Sequence, residues 1–256
     1  MIMPIGDDNT GRTIQPLVNY ALLAANVLVF ALFQGMGTNE KFTFGLSTVP
    51  REIATGDDQV TPDREVEEPV TGQRLYVPGL QPTPVSVYIT LLTSMFMHGG
   101  IAHLLGNLLF LWIFGDNVED TLGHLRYLLF YLVCGLIASL AHVFTTIAFY
   151  GSGSEQAMIP SLGASGAISG VLGGYMMLHP NRRVTVIMLR MATQVPSFVA
   201  IGLWFLFQLV SALGMFGEGT QAGGIAFAAH IGGFIAGLVL VRVFAVGRDS
   251  RNSGHR

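Results

Sequence analysis

Three short segments of this sequence place polar side chains and small residues inside apolar stretches. They are HGGIAHLLGN at 98–107, GASG at 163–166 and AHIGGFIAG at 229–237. Ser165 lies in the second segment and His230 in the third. A histidine within hydrogen-bond reach of a serine hydroxyl can take its proton while the oxygen attacks a carbonyl carbon, and can then give the proton to the leaving amine. These two residues therefore predict acyl transfer by a Ser/His dyad.

The first segment supplies candidate hydrogen-bond donors for the transition state. His103 and Asn107 are four residues apart, so a helix places both side chains on one face. Side-chain N–H groups that converge on a carbonyl oxygen stabilise the negative charge that develops there. We expect both residues, with the backbone N–H of Ser165, to form an oxyanion site, and His98 in the preceding turn could brace their face. No Asp or Glu lies in the apolar part of these stretches, so no third member of a triad is predicted.

Glycines recur at helical spacing beside the candidate serine and histidine. An interval of three or four residues places them on one helix face, and such faces allow two helices in a membrane to approach closely. We therefore expect the glycines to let a neighbouring helix carry the histidine up to the serine. The predicted helix-packing residues are Gly163, Gly166, Gly170 and Gly174 near the serine, and Gly233 and Gly237 after the histidine.

The elements that must position these residues are predicted to be transmembrane helices. Of the 256 residues, 51% are hydrophobic and 11% are charged, and the mean hydropathy is +0.55, which is more apolar than a soluble domain of this size requires. About 20 apolar residues are needed to cross a bilayer. The predicted fold is an all-α polytopic membrane protein with six transmembrane helices. The candidate spans are about 16–35, 101–114, 125–149, 163–178, 196–215 and 223–246.

The placement of basic residues predicts the orientation of this bundle, because cytoplasmic loops are enriched in Lys and Arg. We predict cytoplasmic tails at 1–15 and 247–256, a six-helix membrane domain over 16–246, and a large first extracytoplasmic loop at 36–88. We expect a multi-pass protein of the cell (inner) membrane of a prokaryote. With the N-terminus inside, nine of the 13 basic residues also fall inside: Arg12, Arg126, Arg182, Arg183, Arg190, Arg242, Arg248, Arg251 and Arg256.

In the order and separation of its three motifs, the sequence resembles the rhomboid family of intramembrane serine proteases over about residues 86–240. The resemblance implies hydrolysis of peptide bonds in or beside the transmembrane segments of single-span membrane proteins, without metal or cofactor. It implies that Ser165 is the nucleophile and His230 the base, and that His103 and Asn107 are the oxyanion donors. The expected partners are these substrates and the lipid bilayer, without nucleic acid, and the sequence leaves the oligomeric state open.

Four further residues are compared with the family pattern. Glu119, in GDNVEDTLG, matches an acidic position that is structural in the family. Ile89 and Thr90 stand where many members have a Trp-Arg pair, and Ser169 stands where an aromatic residue often packs against the base. The ring of His230 must therefore be held in another way.

The same residues leave other functions open. A rhomboid-like protein that escorts membrane clients without cutting them typically lacks the serine or the histidine, and both are present here. A transporter or channel needs charged or repeated polar groups through the membrane, whereas these motifs cluster near one face. Zinc proteolysis is disfavoured, because HGGIAH lacks the glutamate and the four-residue spacing of HExxH. The remaining histidines, His124, His142 and His179, are predicted to be structural.

Overall fold

The computed structural model of the protein describes residues 3–67, 74–188, 191–212 and 221–247, and most of the chain is helical. The helix over Leu17–Leu28 continues as a π-helical turn over Val29–Phe33, and short 3-10 turns cover Gly35–Gly37, Val87–Ile89, Ser94–Phe96 and Gln156–Met158. In chain order the elements are β1 (Met3–Asp7), α1 (Leu17–Leu28), α2 (Glu40–Gly45), α3 (Pro50–Thr55), β2 (Arg64–Glu67), β3 (Arg74–Val77), α4 (Thr90–Thr93), α5 (Ile101–Leu122), α6 (His124–Tyr150), α7 (Ser165–Leu178), β4 (Arg183–Met188), β5 (Met191–Pro196), α8 (Ser197–Ala212) and α9 (Gln221–Ala245).

Each of the six predicted spans coincides with one helix, namely α1, α5, α6, α7, α8 and α9. Within the described residues, the helices over Ile101–Leu122, His124–Tyr150 and Phe227–Ala245 are long and apolar enough to cross a membrane. Helices α1, α7 and α8 are apolar but shorter. These apolar helices indicate a membrane protein, while the count of six crossings stays a prediction. Outside the described residues lie 213–215 of the fifth predicted span, 68–73 of the predicted loop, 248–256 of the predicted tail, and Arg190, Arg248, Arg251 and Arg256.

Helix α7 forms the centre of the bundle. It packs against α5, α6, α8 and α9, and every residue from Gly166 to Tyr175 is buried. The surrounding helices contribute large apolar side chains such as Leu111, Phe114 and Phe130 to the same core. A helix with apolar or small residues on all sides is typical of such a central position. The first residue of this helix is Ser165.

The predicted end of the second span at residue 114 was wrong, because α5 continues to Leu122 through the polar sequence GDNVEDTL. The polar side chains of this last part are buried and paired. Glu119 accepts hydrogen bonds from the backbone N–H groups of Val18 (2.9 Å) and Asn19 (2.7 Å), and also contacts the His124 ring. Since the first N–H groups of a helix have no partner within the helix, Glu119 satisfies two donors at the start of α1. Its predicted structural role is confirmed.

The chain is mostly helical, but the all-α prediction did not include two small β-sheets. Strands β1, β4 and β5 form a three-stranded antiparallel sheet, and β2 and β3 form a hairpin. In β4 the alternation of Val184 and Val186 with more exposed residues buries one face of the larger sheet against the helices. This sheet joins the N-terminal segment to the connection between α7 and α8.

The predicted loop 36–88 contains packed structure. Helix α3 lies against α6, and Thr48 pairs its backbone with Ser161, four residues before Ser165. The Thr48 hydroxyl also donates to the Thr90 carbonyl oxygen at 2.9 Å. The segment therefore holds the chain that enters α7, although its extracytoplasmic location stays a prediction.

A polar cluster connects the larger sheet to the ends of α5 and α7. Asp7 Oδ2 accepts hydrogen bonds from the Tyr175 hydroxyl (2.6 Å) and from Asn117 Nδ2 (2.8 Å). Arg12 forms an ion pair with Asp116 at 2.6 Å. Burial is the main cause that raises the pKa of Asp7, to about 6, and the nearby Asp116 carboxylate adds to it.

This raised pKa predicts a pH-dependent contribution to stability. Folding favours the protonated Asp7 carboxyl, so its contribution is complete below its ordinary pKa of 3.8 and is lost as the pH rises through about 6. Asp7→Asn keeps an oxygen that can accept from Tyr175 but cannot ionise. We expect the variant and the wild type to have equal free energies of unfolding near pH 4. At pH 7 the free energy of unfolding of the variant should be higher by about 1 kcal/mol, a value that allows for the partial exposure of Asp7 to solvent. Thermal unfolding in detergent across this range measures the difference, and a difference that is independent of pH would contradict the assignment.

Candidate active site

The structure brings Ser165 and His230 together from different helices. Ser165 begins α7, and His230 lies within α9. The distance from His230 Nε2 to Ser165 Oγ is 2.8 Å. At this distance the ring nitrogen can accept the hydroxyl proton during attack on a carbonyl carbon. The pair predicted from residue types alone is therefore in hydrogen-bond contact.

The predicted glycine faces account for this contact. A Cβ atom at Gly233 would collide with the carbonyl oxygen of Gly166, and one at Gly237 would collide with that of Gly170. Helices α7 and α9 thus meet backbone to backbone directly after Ser165 and about one turn later on α7, and about one and two turns after His230 on α9. Gly174 faces α6 as well, where a Cβ would lie 2.9 Å from Phe130 Cζ.

Two glycines differ from the prediction. Gly163 was grouped with the helix-packing residues, but it precedes α7 and has a φ of +125°, which L side chains rarely adopt. A Cβ there would lie 2.8 Å from His103 Cε1, so this glycine leaves room for the imidazole ring. Gly173, which was not predicted, packs directly on the backbone of α9 at Phe234.

His103 and Asn107 lie in the first two turns of α5, beside the chain that leads into Ser165. The Cβ position of Gly163 would be 2.9 Å from His103 Nε2 and 3.7 Å from Asn107 Nδ2, so both nitrogens approach the same stretch of backbone. Asn107 Nδ2 is buried and has no hydrogen-bond partner among the described residues. A buried donor without a partner is costly, and a substrate oxygen could satisfy it. The placement fits the predicted oxyanion site.

His98 supports this arrangement. Its ring is buried and meets the His103 ring edge-on, with 5.3 Å between the ring centroids. Gln34 fixes the backbone of His98, because its side chain accepts from the His98 N–H and donates to the carbonyl oxygen, each at 2.9 Å. His98 therefore braces the His103 ring, as predicted.

A small cavity lies beside the serine. It has a volume of about 50 Å³ and is lined by Ser165, His230, Ser94, Ser139 and Ser161, together with neighbouring small residues. A cavity of this size and polarity has room for at least one water molecule. Hydrolysis of an ester formed on Ser165 would need such a molecule.

Comparison with known proteins identifies the family. A family model for the rhomboid domain matches residues 86–246, which is more than half of the chain. The chain belongs to the rhomboid family. This region contains all four candidate site residues, and it confirms the resemblance seen in the sequence.

Several relatives of this rhomboid chain are known by name. It is 31% identical over 161 residues to Rhomboid protein 1, mitochondrial, of Saccharomyces cerevisiae. These residues are 62% of this chain and 43% of that protein. It is 34% identical over 148 residues to Rhomboid protease GluP of Bacillus subtilis, 57% of this chain and 24% of that protein. The matched region of RHOMBOID-like protein 4 of Arabidopsis thaliana is 32% identical and covers 59% of this chain and 32% of that protein. The chain thus spans less than half the length of each relative.

Where this rhomboid chain differs from the family pattern, other residues make the contacts. The Ser169 hydroxyl donates to the carbonyl oxygen of Ser165 at 2.6 Å. His230 is contacted instead by Gln208 of α8, with 2.9 Å between Nδ1 and Oε1. Sequence reasoning missed Gln208, although an amide within the apolar stretch WFLFQLV is itself a signal. Thr90, at one position of the absent Trp-Arg pair, is buried and anchors Thr48.

The contact between α7 and α9 predicts that a single methyl group destabilises the fold. In Gly237→Ala the new Cβ meets the Gly170 carbonyl, so the helices must separate, and we expect a loss of about 1–3 kcal/mol. The matched control is Gly202→Ala in α8, where a Cβ meets nothing within 4 Å and alanine favours the helix. Thermal unfolding of both variants in detergent measures the effect. Equal unfolding temperatures for the two variants would show that the close approach is not needed.

Proposed function

We propose that this rhomboid chain is a serine endopeptidase that hydrolyses peptide bonds in or beside the transmembrane segments of single-span membrane proteins. The observation that carries the proposal is the 2.8 Å contact between His230 Nε2 and Ser165 Oγ. The family membership supports it, as does the name of one relative, Rhomboid protease GluP. His103 and Asn107 approach the same backbone segment from α5, as an oxyanion site requires.

The first chemical step is attack by the serine. Ser165 Oγ forms a bond to the scissile carbonyl carbon while its proton passes to His230 Nε2, and the carbonyl electron pair moves onto the oxygen. His103, Asn107 and the backbone N–H of Ser165 donate hydrogen bonds to this oxyanion. Because these donors belong to a rigid helix and to the start of another, little reorganisation is needed when the charge appears.

The second step releases the amine, and the third releases the acid. His230 gives its proton to the amide nitrogen, the C–N bond breaks, and an ester remains on Ser165. A water molecule in the adjacent cavity then loses a proton to His230 and attacks the ester carbon. Collapse of that intermediate returns the proton to Ser165 Oγ and frees the carboxylic acid. The steps use side chains of this chain, the backbone N–H of Ser165 and one water molecule.

The proposed setting is a six-helix membrane domain over 16–246, with the segment 36–88 outside and the tails 1–15 and 247–256 in the cytoplasm. A substrate helix must unwind locally, because its carbonyl groups are engaged in helical hydrogen bonds. The orientation rests on the placement of basic residues. The cell (inner) membrane of a prokaryote is the proposed location, and the relative from the bacterium Bacillus subtilis supports a prokaryotic source. The mitochondrial relatives make a mitochondrial membrane the other candidate.

The alternative is a rhomboid protein that binds membrane clients without cutting them. Such a protein would have no use for a serine in hydrogen-bond contact with a histidine, nor for a buried amide donor at Asn107. The two functions differ in one observable, the release of cleaved product.

Cleavage of a fluorescent single-span membrane protein by the purified chain tests the proposal. We expect Ser165→Ala and His230→Ala each to lower kcat by at least about 10³-fold, since the remaining donors alone give little turnover. The control is Ser169→Ala, one turn deeper in α7, which removes a hydroxyl outside the proposed chemistry and should keep turnover. If the wild type binds several different spans but releases no product, or if Ser165→Ala still cuts, the protease proposal is wrong.

The oxyanion site predicts that a substitution of Asn107 lowers activity without lowering stability. Asn107→Ala removes a donor from the transition state, so kcat should fall roughly 10²- to 10³-fold with little change in KM. It also removes a buried unpartnered amide, so the unfolding temperature should not fall. Steady-state kinetics and thermal unfolding measure the two effects, with exposed Leu105→Ala as the control on the same helix. An unchanged kcat would exclude Asn107 from the oxyanion site.

A further inference from the structure

We propose that Gln208 is a positioning residue that fixes the tautomer and orientation of His230. The inference rests on the proposed function and adds a third residue to the same site. Gln208 lies on α8, is only 7% exposed, and its Oε1 is 2.9 Å from His230 Nδ1. On the other side of the ring, Nε2 faces Ser165 Oγ at 2.8 Å. The imidazole is thus held at both nitrogens.

The contact with Gln208 determines which ring nitrogen of His230 carries the proton. In a neutral imidazole one nitrogen carries the proton and the other is an acceptor. A general base needs Nε2 free to accept the Ser165 proton, so Nδ1 must carry the hydrogen. An amide oxygen can only accept, and its contact with Nδ1 selects this tautomer. Gln208 therefore keeps His230 in the form that can activate the serine.

The other neighbours of the His230 ring do not perform this task. Trp204 and Phe227 lie with ring centroids 6.2 Å away, so they restrict the ring but accept no strong hydrogen bond. Ser169 uses its hydroxyl on the Ser165 carbonyl oxygen. The titratable groups that act on His230 are two other imidazoles, those of His103 and His142. Among the described residues, the hydrogen bonds of the ring run to Gln208 and Ser165.

A neutral acceptor suits this location. A carboxylate at the same place would have to be buried among apolar helices, where an ionised group needs a charged partner or several donors. The amide of Gln208 supplies an acceptor without a charge. It orients the ring in the resting site, and its carbonyl dipole stabilises the transient imidazolium.

Substitution of Gln208 separates hydrogen bonding from packing. Gln208→Met keeps a similar unbranched shape but removes the strong acceptor, whereas Gln208→Glu keeps an acceptor oxygen. We expect the methionine variant to lower kcat roughly 10- to 100-fold with little change in KM, as for other residues that orient a histidine through its second nitrogen. The glutamate variant should recover most of the turnover, with the acid limb of its pH–rate profile moved to higher pH because a carboxylate favours the imidazolium. Leu209→Met, at a half-exposed neighbour, is the control.

A second readout does not depend on activity. Nitrogen-15 NMR of histidine-labelled protein, with the His230 signals assigned by loss in His230→Ala, reports which ring nitrogen carries the proton. We expect the Nδ1–H tautomer in the wild type and an increased share of the Nε2–H tautomer in Gln208→Met. An unchanged tautomer, or an unchanged kcat in a chain whose Ser165→Ala variant is inactive, would overturn the role of Gln208 and leave the dyad intact. Turnover by Ser165→Ala would instead contradict the proposed function, and the NMR result would still decide the tautomer.

Discussion

The approach of two helix backbones determines the geometry of the site. Gly233 and Gly237 of α9 lie directly on the carbonyl oxygens of Gly166 and Gly170 of α7, and no side chain fits between them. Ser165 directly precedes Gly166 on one helix, and His230 lies about one turn before Gly233 on the other. In a membrane, apolar side chains are covered equally well by lipid or by another helix, so burial of apolar surface does not hold helices together. Close van der Waals contact supplies much of the attraction between the helices instead. The same glycines thus join the helices and set the distance between nucleophile and base.

Helices α5 and α8 place further residues next to Ser165 and His230. Helix α5 brings two nitrogen donors to the backbone before Ser165, and Gly163 leaves the space that the His103 ring occupies. Helix α8 brings the Gln208 amide to the far side of His230. Polar contacts hold both ends of this assembly. Thr48 pairs with the segment that enters α7, and Asp7 holds the opposite end of that helix through the Tyr175 hydroxyl.

Residue types in apolar surroundings allowed much of the site to be predicted. A polar side chain in an apolar stretch is costly, which made Ser165, His230, His103 and Asn107 recognisable. Hydropathy predicted the positions of helices α1, α5, α6, α7, α8 and α9. Gln208 gives the same signal, but its partner could not be predicted, because the contact with His230 depends on how α8 packs against α9. The last two turns of α5 were missed since their polar residues are paired with distant parts of the chain. The pairing of β1 with β4 likewise joins residues about 180 positions apart.

The central claim is that His230 activates Ser165 as a nucleophile, and covalent capture tests it most directly. The purified chain is treated with a fluorophosphonate, which reacts with activated serine hydroxyls, and the adduct is located by mass spectrometry of the digested protein. The account predicts one adduct, on Ser165, that forms in the wild type and is lost in His230→Ala. No adduct on Ser165, or labelling of Ser165 that is equally fast without the His230 imidazole, would contradict it.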